Sequence, residues 1–220
     1  MVNILFNRYD IDAKWCFSAF QRYIKATDKV VIIPFSFRDE RVNSKNSWEA
    51  YYGQNDGIYY NGIVNSFFSY GIQPENIIWI NYFTDSKESA IQKISNSDIL
   101  YFTGGLPDKM MIRLKEFDLI STIENHNGII MGYSAGAMIQ IKNYHITPDK
   151  DYTLFGYYKG LKLIDIFDIE VHFEHSDLQI SSIETVRKET GLPVYAIEDN
   201  GAVLVDDGKI TTVGNVHYYK

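Results

Sequence analysis

A doubly wound α/β fold is predicted, with a mostly parallel sheet, helices on both faces and antiparallel C-terminal strands. Three observations predict it. Short β-branched runs alternate with longer amphipathic ones. The short runs are near-continuously apolar, as strands covered on both faces are. The last third of the chain then changes to alternating runs joined by a turn. Strand, helix, strand in regular succession implies right-handed crossovers and a parallel sheet.

Strands are read at Val2 to Phe6 (VNILF), Val30 to Pro34 (VVIIP), Ile77 to Ile80 (IIWI), Ile99 to Thr103 (ILYFT) and Gly128 to Met131 (GIIM). Helix-length segments lie between them: Ile11 to Lys25, Ser47 to Tyr70, Ser86 to Ser95, and Pro107 to His126 in one or two pieces. Asp151 to Leu163 is rich in Tyr and Gly and favours neither state. Phe167 to Phe173 (FDIEVHF) alternates like a strand, and Ser176 to Thr190 forms a helix stopped by Gly191-Leu192-Pro193. Val194 to Glu198 is a strand, and Asp207-Gly208 joins two alternating runs as a hairpin. No repeat, low-complexity tract or linker interrupts this order, so residues 1–220 read as one α/β domain.

Composition narrows the partners. A net charge of -7 repels polyanions, and no Lys/Arg run makes a local exception, so nucleic acid is not an expected partner. The opening MVNILFNRYDIDAKW lacks a basic n-region and a small-residue cleavage site. No apolar run approaches the roughly 18 residues that span a bilayer. A soluble, cytoplasmic chain without a membrane partner is expected. Cys16 is the only cysteine, which excludes an internal disulfide and a Cys-based zinc cluster; within WCFSAF it reads as a buried thiol. The aromatic load, 17 Tyr and 13 Phe, includes the pairs Tyr51-Tyr52 and Tyr59-Tyr60 but points to no particular groove.

The stretch GIIMGYSAGAM, residues 128–138, is the most informative. It runs apolar and then turns through Gly132-Tyr133-Ser134-Ala135-Gly136. A serine nucleophile at a strand end stands on a strained turn so that its Oγ projects from the sheet, and glycine two residues to either side relieves the crowding. Chance supplies G-x-S-x-G in about one such chain in fifteen. Its setting, a buried strand before and a small-residue helix start after, makes Ser134 a candidate nucleophile. The oxyanion would be met by the N–H of Ala135 and one from Gly104-Gly105, which closes the preceding strand.

Five histidines compete for the base: His126, His145, His172, His175 and His217. His126 lies before the elbow strand, at its wrong end, and His145 is in an irregular segment. His172 closes FDIEVHF, where a ring emerges at a sheet edge. His175 shares that turn; its spacing with His172 permits a metal pair, but no third ligand is evident, so no metal is assigned. His217 sits in the terminal VHYYK.

The elements YFTGGLPDKM, IIMGYSAGAM, IEVHF and VYAIEDNGAVLV, in this order and spacing, resemble the S51 serine peptidases, the group containing aspartyl dipeptidase (peptidase E) and cyanophycinase. That group is similar in fold to class I glutamine amidotransferases, with Ser in the elbow where those carry Cys. The resemblance covers most of the chain from about Ile99 onward. It implies a nucleophile at Ser134, a histidine at His172 and oxyanion donors at Gly105 and Ala135. For the acid it implies Glu198 or its neighbour Asp199, with Glu198 favoured. Glu170, two residues before His172 and on the same strand face, and Asp149, after the elbow helix, are further candidates.

The chain also departs from the group. Cyanophycinase-like members follow the histidine with several arginines, whereas HFEHSDLQISS has none, so cyanophycin is not the expected substrate. The counterpart of the arginine that pairs with an acidic substrate side chain in aspartyl dipeptidases would be Arg187.

The expected chemistry is acyl transfer to water on a small peptide, without a cofactor. His172 takes the Ser134 proton, Glu198 orients the ring, and Gly105 and Ala135 hold the oxyanion. Dipeptides or short peptides, including those with an N-terminal acidic residue, are the expected substrates. A non-catalytic binding or regulatory module of the same fold is the alternative. An α/β-hydrolase order would instead need His217 as base, and amidotransferase chemistry would need Cys16 beside His172. Oligomeric state is left open.

Overall fold

The computed structural model describes residues 1–54 and 56–220. Its centre is an eight-stranded mixed sheet. Strands β1 (Val2–Phe6), β5 (Ile129–Tyr133), β4 (Ile99–Phe102), β2 (Val30–Ile33) and β3 (Ile77–Trp79) lie side by side in that order, all parallel. On the other side of β1 come β9 (Val194–Asp206), antiparallel to it, and β10 (Lys209–Tyr219), antiparallel to β9; β8 (Asp168–Glu170) runs parallel to the first part of β9.

The continuous apolar runs are explained by two cores, one on each face. Along each parallel strand successive side chains go to opposite sides. Leu5, Val31, Ile33, Leu100, Phe102 and Ile130 enter one core, shared with α4 (Lys87–Ser95), α5 (Pro107–Glu116) and α6 (Ile120–Glu124). Ile4, Phe6, Val30, Ile32, Tyr101 and Met131 enter the other, shared with α1 (Phe17–Phe20) and α3 (Tyr60–Phe68). Burying one such side chain contributes about 1.5–3 kcal/mol, and the pattern repeats on every strand.

Local signals set the boundaries. Ser86 and Ser176 cap α4 and α8 (Asp177–Thr190) through their hydroxyls, and Gly191 ends α8 with φ 72°. Asp207 and Gly208 both take positive φ, 46° and 81°, as a tight hairpin turn between β9 and β10 requires.

Two helical segments depart from expectation. Within Ile11 to Lys25 only Phe17–Phe20 is α-helical. The flanking turns close on i→i−3 bonds, such as Ala13 N–H to Asp10 O and Cys16 N–H to Ala13 O. Ser47 to Tyr70 is broken into α2 (Lys45–Tyr52) and α3. The break falls at Gly53 and Gly57, where the backbone doubles back and a Cβ on Gly57 would meet the carbonyl of Gly53. The unassigned stretch Asp151 to Leu163 contains β7 (Gly156–Lys159), which pairs with β6 (Asn143–Ile146) in a separate two-stranded sheet.

β9 is one strand through the expected break after Glu198. Between the pairs Ile197–Val216 and Gly201–Gly214, Glu198, Asp199 and Asn200 stand against the single residue Asn215 of β10. Here β9 leaves β8 and passes to β1. A bulge re-aims side chains, and this one sits beside the cleft described next.

Candidate active site

The carboxyl ends of parallel strands converge on one cavity of about 420 Å³. Its wall takes Asn7, Arg8 and Tyr9 after β1, Ser36 to Arg38 after β2, Gly104 and Gly105 after β4, Tyr133 and Ser134 at the end of β5, and His172 after β8. Asp199 joins from the bulge of β9. A second cavity of about 320 Å³ shares Gly105, Ser134 and His172 and extends toward Thr147, Tyr152 and Gln179.

Ser134 is held at φ 52°, ψ -115°, a conformation unfavourable for an L-residue. Its N–H bonds to Phe6 O at 2.9 Å, prolonging the β1–β5 ladder, and its carbonyl accepts from Ala137 and Met138 N–H, starting α7 (Ala135–Met138). The strain is therefore imposed from both sides. The flanking glycines are sterically required: a Cβ on Gly132 would strike the carbonyl of Gly136, and one on Gly136 the carbonyl of Phe102. α7 is a single turn, so what it offers at its start is free N–H groups rather than the dipole of a long helix. Gly105, at φ 141°, has no room for a Cβ against Ser36 O. Neither its N–H nor that of Ala135 has a protein acceptor among the described residues.

His172 also has positive φ, 50°. Its Nδ1–H donates to Asp199 Oδ1 at 2.8 Å, which leaves Nε2 as the free ring nitrogen. Asp199 Oδ2 lies 3.5 Å from the Arg8 guanidinium. The imidazole and carboxylate are 45% and 54% exposed, so the cleft is open to water, and Ser134 Oγ makes no hydrogen bond to His172 in this state.

The acid favoured from the sequence, Glu198, is not the partner of His172. Adjacent residues in the bulge point apart: Glu198 turns to the opposite side, accepting from His175 Nε2 at 3.1 Å, His217 Nε2 at 2.7 Å and Asn215 Nδ2 at 3.0 Å. Hydrogen bonds from His217, Asn215 and His175 hold its carboxyl down at about 2. The other candidates are spent elsewhere. Asp149 accepts the backbone N–H groups of Asp151 and Tyr152. Glu170 accepts from His145 Nε2, Thr147 Oγ1 and Gln179 Nε2.

His145 proves to be a buried ion-pair centre. Its Nδ1–H donates to Asp168 Oδ2 and its Nε2–H to Glu170 Oε2, both at 2.8 Å, with the ring 1% exposed. Burial alone would lower its pKa, but the two carboxylates override that and push it up to about 10. This cluster fixes β6 to β8, two residues before His172. Gln179 of α8 continues the chain of contacts, donating to Glu170 Oε1 and to the carbonyl of His172 at 2.9 Å.

Arg187 does not reach the cleft; it lies in the C-terminal part of α8, outside both cavities. Arginines missed in the sequence line the larger cavity instead. Arg38 is tied in a two-pronged pair to Asp151, Arg8 faces Asp199, and Arg41 forms no ion pair among the described residues. The opposite wall is aromatic, with Tyr9, Tyr51, Tyr52, Tyr59 and Tyr133. Arg8 was findable, because it follows a parallel strand; Arg38 and Arg41 follow β2 after a loop that sequence pattern leaves unplaced.

Arg113 is a further residue that pattern reading passes over. Only 4% exposed, it reaches from α5 to the carbonyls of Phe35 and Phe37 and to Asp39 Oδ1, and lies 3.6 Å over the Phe37 ring. It thereby fixes the loop that brings Ser36 and Arg38 to the cavity. Cys16 is buried in the core beside α1, its thiol pushed up to about 12 by burial and by Asp10 and Asp12, and it does not approach His172. His217 lies with Glu198, away from Ser134. Among the described residues no helix is long and apolar enough to cross a membrane.

Comparison with known proteins agrees with this fold. No curated protein sequence matches the chain. Among solved structures, one described as a peptidase E protein from Listeria monocytogenes superposes with a TM-score of 0.70 at 20% identity, covering 97% of this chain and 98% of that one. A peptidase from an acI-B1 actinobacterium gives 0.69 at 17% identity, covering 100% and 90%. At such identities the likeness is one of fold. The sequence model of peptidase family S51 matches residues 50–213, a span that includes Ser134, the Gly104-Gly105 turn, His172 and Asp199, and the chain belongs to that family.

Proposed function

We propose that this protein is a serine peptidase that hydrolyses dipeptides or short peptides through an acyl-enzyme on Ser134. The observation that carries the reading is the convergence, at one cleft, of a strained serine, an imidazole oriented through Nδ1 by a carboxylate, and the Gly105 turn, whose N–H, like that of Ala135 next to the serine, has no protein acceptor among the described residues. Asp199 is the acid of this triad, in place of Glu198.

In the reaction, His172 Nε2 accepts the Ser134 hydroxyl proton as Oγ attacks the peptide carbonyl. Asp199 keeps the Nδ1–H tautomer and stabilises the imidazolium that forms. The N–H groups of Gly105 and Ala135 receive the developing oxyanion. His172 then gives its proton to the leaving amine, and water repeats the sequence on the ester. Closure of the Ser134–His172 hydrogen bond accompanies substrate binding, since catalytic hydrogen bonds are often long in free enzymes.

The two cavities meeting at Ser134 suit the two sides of a scissile bond. The larger, with an aromatic wall and Arg41 in no ion pair among the described residues, suits an N-terminal residue with an acidic side chain. The smaller, walled by Met138, Ile146, Tyr152 and Leu178, suits the residue that leaves. The missing Ser134–His172 contact is the one feature that favours a non-catalytic binding module. Hydrolysis of Asp-Leu and Leu-Leu by wild type and Ser134→Ala separates the readings. The proposal predicts turnover of Asp-Leu by wild type, preferred over Leu-Leu and abolished in Ser134→Ala. Binding of Asp-Leu without turnover by the folded wild type would select the module.

A further inference from the structure

Behind the cleft, on the side of the β9 bulge turned away from Asp199, three ligating side chains from separate segments converge. They are His175 from the turn after β8, Glu198 of β9 and His217 of β10. One nitrogen of each imidazole and one oxygen of the carboxylate all lie within 4.8 Å of one another. Both Nε2 atoms aim at the same oxygen, Glu198 Oε1, at 3.1 and 2.7 Å, and the two rings stand edge to face at 4.6 Å. The second carboxylate oxygen is held by Asn215 Nδ2 at 3.0 Å. Phe173, 2% exposed, packs against both imidazoles with centroids 4.4 and 5.5 Å away, giving the group an apolar floor.

We propose that His175, Glu198 and His217 bind one divalent transition-metal ion of the zinc class, at a site separate from the catalytic serine. Two imidazoles and one carboxylate are borderline donors of the kind zinc, cobalt and nickel prefer, whereas calcium and magnesium seek oxygen ligands only. Metal–ligand bonds of about 2.0–2.1 Å in a tetrahedron place ligand atoms roughly 3.3 Å apart. The present nitrogen–oxygen separations need to open by about half an ångström or less, and the two nitrogens, within 4.8 Å of each other, need to come to the same spacing. On binding, each imidazole offers its Nε2 lone pair and carries its proton on Nδ1, which has no protein acceptor in either ring among the described residues. Asn215 keeps the carboxylate oriented from outside the coordination sphere, and Phe173 shields one side. Water completes the tetrahedron on the exposed side, where His175 is 53% and His217 40% accessible.

The position has a structural consequence. His175 is three residues from His172, and Glu198 is next to Asp199. His172 and His175 both hold positive φ, 50° and 60°. An ion at the three ligands ties the far end of the His172 turn to β9 and β10.

The site is tested by calorimetric titration of the full chain with zinc chloride in excess magnesium and calcium, and by NMR of the histidine rings in the unaltered protein. One ion per chain is expected. His175→Gln and His217→Gln should each weaken binding by about 10-fold or more, Asn215→Ala by less, and His126→Gln not at all. In the wild type, zinc should shift the His175 and His217 ring signals and leave His126 and His145 unmoved, a readout that requires no variant to fold. No zinc binding, zinc binding that persists in the double variant His175→Gln/His217→Gln, or zinc binding that leaves the wild-type His175 and His217 signals unmoved, would overturn the proposal. Peptide hydrolysis enters neither measurement, so the result stands whether or not Ser134 is a nucleophile.

Discussion

Asp199 and Glu198 are neighbours in sequence, carry the same charge, and face opposite chemistry. A bulge that sets three residues against one separates them, directing Asp199 to His172 and Glu198 to the paired histidines. Replacing the orienting acid by its amide leaves the wrong tautomer available. Asp199→Asn should therefore lower kcat by about 10²–10⁴, whereas Glu198→Gln should lower it less than about tenfold. Equal losses in steady-state kinetics would remove the distinction. Ser134 itself stores strain of about 1–3 kcal/mol in its backbone. Ser134→Gly should abolish hydrolysis yet raise the melting temperature by about 2–4 °C for each kcal/mol released. A lower melting temperature would show that the backbone is not strained there. Arg41→Ala should raise KM for Asp-Leu while changing Leu-Leu hydrolysis little, because it removes a cavity cation that forms no ion pair among the described residues.

At the scale of elements, the best-read feature was the elbow. Its glycines are needed because carbonyl oxygens occupy the space a Cβ would take, and that requirement leaves a local mark in sequence. The parallel strands were legible for a similar reason, since burial on both faces writes continuous apolar runs. The helix break at Gly53 and Gly57 and the turns around Cys16 depend on tertiary packing and left no comparable mark. The β6–β8 link was hidden too, because nothing in pattern reading says that an irregularly placed His145 meets Asp168 and Glu170. That link is testable through pH. His145 has a folded pKa of about 10, above its ordinary value. Its contribution is full below about pH 6.5 and disappears as pH rises through about 10. His145→Gln, which leaves buried carboxylates unpaired, should cost about 3–5 kcal/mol near pH 6 and distinctly less above pH 10 in urea unfolding. The same cost at both pH values would argue against a charged imidazole between the two acids.

For the whole molecule, the sheet order explains why residues from the first and last quarters of the chain share one cleft. β1 and β5 are adjacent, so Arg8 and Ser134 leave the sheet side by side, and β9 returns antiparallel beside β1 to bring Asp199 across from them. β8, added at the end of β9, delivers His172. The motif and its histidine could be found in sequence because each ends a strand. The choice between the neighbours Glu198 and Asp199 as the partner of His172, and the arginines of the cavity, could not, because a bulge and a long loop decide them, and neither has a period. The span matched by the family model contains Ser134, His172 and Asp199, the proposed triad, while Arg8, Arg38 and Arg41, which line the larger cavity, lie before it.

The most direct test is intact-mass analysis after reaction with a small fluorophosphonate, comparing wild type, Ser134→Ala and Asp199→Asn. One adduct is expected on the wild type, none on Ser134→Ala, and adduct formation slowed by about 10² or more in Asp199→Asn. A folded wild-type protein that gains no adduct, or an adduct that survives in Ser134→Ala, would contradict the assignment of Ser134 as the activated nucleophile.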